Sequence, residues 1–347
     1  MTSIRDLQRA PDASPAAAPP TLPLQIERVR TFETPEFSGM RFLEVEAKSA
    51  LNRVRGMPFP WSINPYRGCS HACRYCFARP SHTYLNLSPL DDFERTIVVK
   101  VNVAEVLRRE LARPSWKGEQ VAMGTNTDPY QRCEGRYRLM PGIIEALAEG
   151  LTPFSILTKG TLVTRDLEAL RAAADRVSVT CALTIGMLDR RLWREAEPGT
   201  PSPQARLEAV ARLNRAGIPT GVMIAPIMPG LNDDPDALDA VVDAAAAAGA
   251  THITPIVLHL RPGVRELFWP WLEQAYPALV GRYQQLYRGS SATAAYRKDV
   301  EALVAERRRL AWARHGRPDG HPTVRGVPRK RAPAQPSTQG HQLRLLP

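Results

Sequence analysis

The sequence predicts an α/β fold in which six strand–helix units form a partial, open barrel. Short runs of nearly continuous apolar residues predict parallel strands that are buried on both faces. Amphipathic segments separate these runs and predict the crossover helices. Six units are too few to close an eight-fold barrel, so we expect the barrel to stay open. The runs cover residues 121–124, 154–158, 177–183, 221–228 and 253–258, and a first strand is expected just before Cys69.

Several helices carry their own sequence signals. From Val103 onward, apolar residues recur at the three- and four-residue spacing of one helix face, at Val106, Leu107 and Leu111. Two later segments each begin with a capping side chain and a proline in the first turn, and each ends before a glycine. These sets are Ser202, Pro203 and Gly217 for one helix, and Asp234, Pro235 and Gly249 for the next.

Composition divides the chain into three parts. Residues 1–30 and 316–347 are expected to be disordered, because segments rich in Pro, Ala, Gly and Arg bury too little apolar surface to offset their ordering entropy. Residues 55–315 are expected to form the barrel core with a C-terminal helical extension. The overall hydrophobic content of 44% is enough for one large core.

The net charge of +11 is a weak indication of a polyanionic partner. The tail from Gly316 contains six basic residues and one acidic residue, so part of the excess lies outside the expected core. A solvated basic surface explains the remainder, and nucleic-acid binding stays open. The sequence has no signal-peptide pattern and no apolar run of membrane-spanning length, which favours a cytoplasmic protein without a membrane partner.

Three of the five cysteines, Cys69, Cys73 and Cys76, lie within eight residues. A [4Fe–4S] cluster usually takes four cysteines, so three would leave one iron open to a ligand from outside the protein. The alternative is a zinc site made from the three thiols and His71. The spacing fits zinc poorly, since structural zinc sites usually show a second pair of ligands downstream.

The C-x3-C-x2-C pattern, with Tyr75 just before its last cysteine, resembles the radical S-adenosylmethionine (SAM) superfamily. The branch that includes spore photoproduct lyase is the most similar. This resemblance implies a [4Fe–4S] cluster, SAM as a second cofactor, a 5′-deoxyadenosyl radical, and an electron donor such as flavodoxin or ferredoxin. It also implies that Tyr75 lies near the adenine of SAM. The other segments that carry it are Met123-Gly-Thr-Asn-Thr-Asp-Pro-Tyr-Gln, Leu157-Thr-Lys-Gly, Glu197-Pro-Gly-Thr-Pro-Ser-Pro, Ala225-Pro-Ile-Met-Pro-Gly-Leu-Asn-Asp and Phe268-Trp-Pro-Trp-Leu.

The resemblance also suggests further cofactor contacts. Thr125, Thr127 and Asp128 follow the second strand and offer acceptors for the SAM ammonium. Asn-Thr-Asp-Pro is also strong turn chemistry without a ligand, but the position and the resemblance favour the cofactor site. Lys159 follows the third strand and is either a cofactor contact or an exposed lysine. Ser178 in the fourth strand is a candidate contact to the ribose.

Three further residues have open roles. Glu197 and Arg206 pair either with each other or with a ligand. Cys133 is either a hydrogen donor to the substrate radical or an incidental loop cysteine. Spore photoproduct lyase carries a cysteine where this chain has Thr125 or Asn126, so thymine-dimer repair by the same route is not expected.

Two functions remain at this point. The first is a radical SAM enzyme that acts on an unidentified substrate, for which nucleic acid is a candidate. The second is a zinc-knuckle protein that binds nucleic acid without catalysis.

Overall fold

The computed structural model describes residues 25–318 of the chain. Its strands are β1 (Arg28–Arg30), β2 (Arg41–Val45), β3 (Leu51–Arg53), β4 (Trp61–Ile63), β5 (Tyr66–Arg67), β6 (Thr96–Lys100), β7 (Val121–Met123), β8 (Phe154–Thr158), β9 (Val179–Thr184), β10 (Thr220–Ile227) and β11 (Ile253–Val257). Its α-helices are α1 (Asp91–Arg95), α2 (Val103–Leu111), α3 (Glu134–Tyr137), α4 (Leu139–Glu149), α5 (Leu167–Ala174), α6 (Arg190–Ala196), α7 (Pro203–Arg215), α8 (Pro235–Ala247), α9 (Arg265–Ala275), α10 (Val280–Leu286) and α11 (Ala294–His315). Short 3-10 helices span Pro35–Phe37, Arg79–Leu85, Thr161–Asp166 and Pro277–Leu279.

The main sheet has seven strands in the order β11-β10-β9-β8-β7-β4-β3. Six of them, from β4 to β11, pair in parallel, and β3 pairs antiparallel with β4 at one edge. Helices cross between successive parallel strands, so the chain forms the predicted partial (β/α)6 barrel. Because the strands are parallel, the loops at their carboxyl ends all emerge on one side, where α/β folds place their sites.

The predicted runs match the strands closely, with one shift. The run 177–183 was expected to be the fourth strand, but β9 begins at Val179. The reason is that the Val177 N–H donates to the carbonyl of Ala173, so this residue still closes the end of α5. The amphipathic segment beginning at Val103 is α2, and it buries Val106, Leu107 and Leu111 as expected.

Both predicted capping sets are present. The Ser202 hydroxyl accepts from the backbone N–H of Ala205 at the start of α7. The Asp234 carboxylate accepts from two backbone N–H groups at the start of α8. These caps satisfy donors that have no partner inside the helix.

A second sheet, which the sequence did not predict, packs beside the barrel. Its order is β1-β2-β6-β5, and β5 leads directly into the cysteine loop. The strand Arg28–Arg30 pairs with β2, so the predicted disordered segment 1–30 extends too far at its C-terminal end. The rest of that prediction, for residues 1–24, and most of the predicted tail, residues 319–347, lie outside the described residues. Between residues 25 and 318, no helix is both long and apolar enough to cross a membrane.

Candidate functional site

The three clustered cysteines lie in a loop that follows β4 and β5, at the carboxyl-end side of the main sheet. Cys69 and Cys73 are each 6% exposed and Cys76 is partly buried. All three are free thiols. The sequence prediction of a thiol cluster in a loop after the first barrel strand is therefore consistent with the structure.

These thiols are poorly solvated, and their surroundings raise the pKa of each of them. Burial raises the pKa of Cys69 well above its usual value, and the charges of Asp128, Cys76 and Cys73 raise it further. Burial also raises the pKa of Cys73 and of Cys76. Three buried thiolates would repel one another, so the charged form needs a cation to stabilise it.

An iron–sulfur cluster fits this donor set. It takes thiolate ligands, and each of three thiolates can bind a different iron. A single zinc ion instead requires its ligands to converge tightly on one point. Within residues 25–318, no group of three or more His, Cys, Asp or Glu side chains is arranged to hold one metal ion.

The loop after β7 fixes the first part of the cysteine loop. The Gln131 amide is fully buried, donates to the carbonyl of Gly68 at 3.0 Å and accepts from the backbone N–H of Ser70 at 2.9 Å. The Thr127 hydroxyl also donates to the Gly68 carbonyl, at 2.7 Å. Gln131 and Thr127 therefore hold the backbone on both sides of Cys69. Thr127 was predicted to contact SAM, but its hydroxyl is already used inside the protein.

Asp128 has a similar internal role. Its carboxylate accepts from the backbone N–H groups of Tyr130 at 2.9 Å and Lys159 at 2.7 Å, and from the Thr158 hydroxyl. His71 Nδ1 lies 3.3 Å from the same carboxylate. A carboxylate has about four lone-pair positions, and these four donors fill them. The structure thus favours a positioning role for Asp128 over the predicted contact with the SAM ammonium.

These contacts also explain the pKa of Asp128. Burial by itself would raise the pKa of this carboxyl group. The interaction with His71 and the hydrogen bonds from Lys159 N–H and the Thr158 hydroxyl outweigh burial, and the pKa lies below its usual value. Asp128 is therefore held in its charged form.

A buried network built around Glu197 holds the second part of the cysteine loop. Glu197 is fully buried, and its Oε2 lies 2.6 Å from Nη2 of Arg206, which is 1% exposed. Arg206 also donates to the carbonyl of Thr184 at 2.7 Å, at the end of β9. Of the two alternatives for Glu197 and Arg206, the structure shows the internal pair.

Tyr75 and Lys159 join this network. The Tyr75 hydroxyl donates to Oε1 of Glu197, and the Lys159 ammonium lies 3.4 Å from the same oxygen. The Lys159 nitrogen also lies 5.5 Å from the centre of the Tyr75 ring. Lys159 is thus not an exposed lysine, because its side chain is only 13% exposed. Glu197 and Lys159 therefore hold the Tyr75 ring, which was predicted to lie near the adenine of SAM.

Two predicted cofactor contacts lie in different surroundings. Thr125 is partly buried and faces a cavity beside β4. Ser178 is exposed and precedes β9, whose first residue, Val179, pairs with Phe154 at the start of β8. Ser178 therefore lies at the amino end of the strands, about 20 Å along β9 from its carboxyl end. Its contact with the ribose stays a prediction.

Cys133 lies in the core and not at the mouth of the barrel. It is fully buried in an apolar cluster with Phe37, Phe42, Tyr66 and other residues of the second sheet. Burial raises the pKa of its thiol well above the usual value. The structure favours a packing role over the predicted hydrogen donor, because a donor must reach the substrate radical.

Sequence reasoning gave no role to Gln131 or Gly199. The backbone N–H of Gly199 donates to the His71 carbonyl at 3.0 Å, and a Cβ on this glycine would lie 2.1 Å from the Ser70 carbonyl oxygen. Only glycine allows this close approach. Both residues lie in segments that carried the family resemblance, but their roles depend on tertiary contacts that the sequence does not display.

Comparison with known proteins agrees with this geometry. A family model described as the radical SAM superfamily matches residues 63–241, from β4 into α8. An uncharacterised protein of Mycobacterium tuberculosis (strain ATCC 25618 / H37Rv) is 52% identical over 285 residues, covering 81% of this chain and 84% of the relative. A protein of Pseudomonas phage M6 named Radical SAM Nalpha-GlyT isomerase is 25% identical over 190 residues, covering 54% of this chain and 37% of the relative.

Among solved structures, spore photoproduct lyase complexed with dinucleoside spore photoproduct is similar in fold. The TM-score is 0.58 at 17% sequence identity, and the match covers 79% of each chain. At this identity the likeness concerns the fold.

Proposed function

The chain belongs to the radical SAM superfamily, and from this premise we propose that Cys69, Cys73 and Cys76 hold its [4Fe–4S] cluster for the reductive cleavage of SAM. The observation that carries the proposal is the set of three free thiols, two buried and one partly buried, in the loop at the carboxyl-end side of the parallel sheet. When bound and reduced, the cluster would supply the electron for reductive cleavage of the SAM sulfonium to methionine and a 5′-deoxyadenosyl radical, which would take hydrogen from the substrate.

The chain's own residues prepare the site for this chemistry. Gln131, Thr127 and Asp128 fix the cysteine loop from the side of β7, so the backbone that carries the thiols is held in place. Lys159 and Glu197 orient Tyr75, which we propose packs against the adenine of SAM. Electron supply by a flavodoxin or a ferredoxin is part of the proposal, because reductive cleavage of SAM consumes an electron that must come from outside the chain.

We also propose that the substrate is a nucleic acid or a component of one. Phe77, directly after Cys76, is 48% exposed, and Tyr84 nearby in the chain is 46% exposed. The Arg261 guanidinium carbon lies 5.8 Å from the Phe77 ring centre. Exposed rings beside cations are the usual platform for unstacked bases. The lyase structure complexed with dinucleoside spore photoproduct supports the same substrate class.

Isotope transfer tests the substrate class. The reconstituted, reduced enzyme is incubated with SAM and deuterated single-stranded DNA or RNA, and 5′-deoxyadenosine is analysed by mass spectrometry. Deuterium in 5′-deoxyadenosine is the expected result, since the radical takes hydrogen from its substrate. Abundant 5′-deoxyadenosine without deuterium from any nucleic acid would contradict this substrate class and leave the cleavage of SAM intact.

A further inference from the structure

A cavity of about 350 Å³ lies beside the cysteine loop. It is bounded by the β3–β4 hairpin, the second sheet and the loop after β7, and we call it the side cavity. Asn64, Arg67, Phe77, Lys100 and Thr125 are among its lining residues. Its volume is in the range of small-molecule sites. Among the described lining residues there is none of the three clustered cysteines, so the side cavity lies next to the proposed cluster site and not over it.

Arg67 and Lys100 project from the same face of the second sheet. Arg67 pairs with Val98 across the antiparallel β5–β6 ladder, and residues that are directly opposite share a face. Lys100 is two residues beyond Val98 on β6, so it lies on this face as well. The sheet therefore places a guanidinium and an ammonium together at the wall of the side cavity.

Neither cation has a counter-charge within contact distance. No carboxylate among the described residues forms an ion pair with Arg67 or Lys100, and neither side chain makes a hydrogen bond within the described chain. The carboxylate of Glu110 acts on Lys100 only through its charge, which raises the pKa of Lys100. Its Oε2 already accepts from the backbone N–H groups of Ala50 and Leu51.

The electrostatic cost of this arrangement is visible in Lys100. Burial, followed by repulsion from Arg67, lowers the pKa of Lys100 to about 8. Two partly buried cations without a partner are unfavourable in a folded protein, and an anion bound between them would offset this cost.

The other residues that line the side cavity can contact the parts of a nucleotide beyond its phosphate. Phe59 and the exposed ring of Phe77 provide aromatic surface on which a base can stack. Thr125 and the amides of Asn64 and Asn126 provide polar groups near the ends of β4 and β7. A free carboxylate would use the cations and leave the aromatic walls unused, whereas a nucleotide uses both.

We propose that the side cavity is a phosphate-binding subsite for one nucleotide unit, in which Arg67 and Lys100 bind the phosphate and the aromatic wall contacts the base. This inference deepens the proposed function and rests on it, because it gives the nucleic-acid substrate a defined place beside the cysteine loop. Arg67 suits two phosphate oxygens at once, and Lys100 adds a compact point charge.

Binding of a fluorescent single-stranded oligonucleotide of about eight nucleotides to the reconstituted enzyme tests this subsite. Arg67→Gln and Lys100→Met remove one charge each and keep much of the side-chain length. The matched controls are Arg171→Gln and Lys298→Met, which remove the same charge from exposed positions on α5 and α11.

We expect each cavity variant to weaken binding about tenfold or more, and each control variant to change it less than about threefold. The slope of log K against log salt should become shallower by about 0.7 in the double variant, since one phosphate contact is then lost. Because both cations bind the same phosphate, the double variant should lose less affinity than the sum of the two single losses. Lys100→Arg retains the charge and should keep most of the affinity.

Two comparisons identify the phosphate source and separate this inference from the proposed function. Thymidine 5′-monophosphate and thymidine are compared as competitors. Competition that requires the phosphate and is lost in Lys100→Met supports the subsite, with a free nucleotide as an accepted ligand. If only the oligonucleotide depends on Lys100, the ligand is a strand phosphodiester.

Cavity variants that bind the oligonucleotide as their controls do would overturn the subsite. Iron content and 5′-deoxyadenosine formation are measured on the wild-type enzyme in parallel. Failure there contradicts the proposed radical function and not the subsite, because binding is read without chemistry.

Discussion

The imidazole of His71 lies 3.3 Å from the carboxylate of Asp128, and this contact joins the cysteine loop to the loop after β7. The same carboxylate accepts from the backbone N–H of Lys159, which begins the loop after β8. One side chain thus connects three loops at the carboxyl ends of neighbouring strands. The geometry of the cysteine loop depends on this connection.

Asp128→Asn should therefore destabilise the fold. An amide presents one acceptor oxygen and one NH2 group, so at least one of the present donors would face another donor. We expect a loss of about 2–3 kcal/mol in the free energy of unfolding, measured by urea titration. Asp175→Asn, at an exposed position, is the matched control and should change stability by less than about 0.5 kcal/mol. A variant of Asp128 with normal stability but weakened SAM affinity would restore the cofactor-contact hypothesis.

Gly199→Ala should lower cluster content without altering a ligand. The added Cβ would approach the Ser70 carbonyl oxygen to 2.1 Å, so the cysteine loop must move. Gly281→Ala is the control, because a Cβ there meets no atom within 4 Å. We expect iron per chain to fall at least about twofold in the first variant and to stay at the wild-type level in the second. Equal iron in both variants would show that the loop tolerates the shift.

The two roles of Cys133 predict different responses to substitution. As a core residue, Cys133→Ala should cost about 1 kcal/mol, and Cys133→Ser should cost more, because a hydroxyl would lie in an apolar cluster. Both variants should form 5′-deoxyadenosine normally once folded. Thermal unfolding and product analysis measure the two effects. Variants of normal stability that both change the fate of the substrate radical would instead indicate a hydrogen donor.

The Glu197 network predicts a specific acid sensitivity. Burial would raise the pKa of Glu197, but Arg206, Lys159 and the hydrogen bonds to the carboxylate bring it to about 2, against 4.5 for the free side chain. Because the folded-state pKa is depressed, the stabilisation is present above pH 4.5 and is lost as the pH falls towards 2. Its full size is about 3 kcal/mol.

Glu197→Gln separates this contribution from general acid denaturation. The variant should be much less stable than wild type at pH 6, since Arg206 is left buried without its counter-charge. The difference should narrow steadily below pH 4.5 in urea titrations of cluster-free protein. A difference that stays constant from pH 6 to pH 3 would contradict the assigned pKa.

Most of the fold could be predicted from patterns that are local in the sequence. The apolar runs, the Ser202 and Asp234 caps and the cysteine spacing depend on neighbours in sequence. The structure contains both caps and the cysteine loop where they were predicted, and the apolar runs match the strands apart from the later start of β9. The second sheet was missed because its strands are short and pair across long sequence separations, such as β2 with β6.

The site was harder to predict than the fold. Whether Thr127 and Asp128 bind a cofactor or the protein depends on which partners the folded chain brings to them. Those partners, Gly68, His71 and Lys159, come from other loops. Ser178 precedes β9 and so lies at the amino end of the strands, and its contact with the ribose stays a prediction. Burial of Cys133 followed from the second sheet, which the sequence did not reveal.

Anaerobic reconstitution of the wild-type chain, followed by reduction in the presence of SAM, measures whether the chain holds a cluster that cleaves SAM. We expect a brown protein with about four iron and four sulfide per chain that releases 5′-deoxyadenosine. Cys69→Ala, Cys73→Ala and Cys76→Ala should each lose the cluster and this product. A colourless wild-type protein that holds one zinc ion and forms no 5′-deoxyadenosine would contradict this expectation.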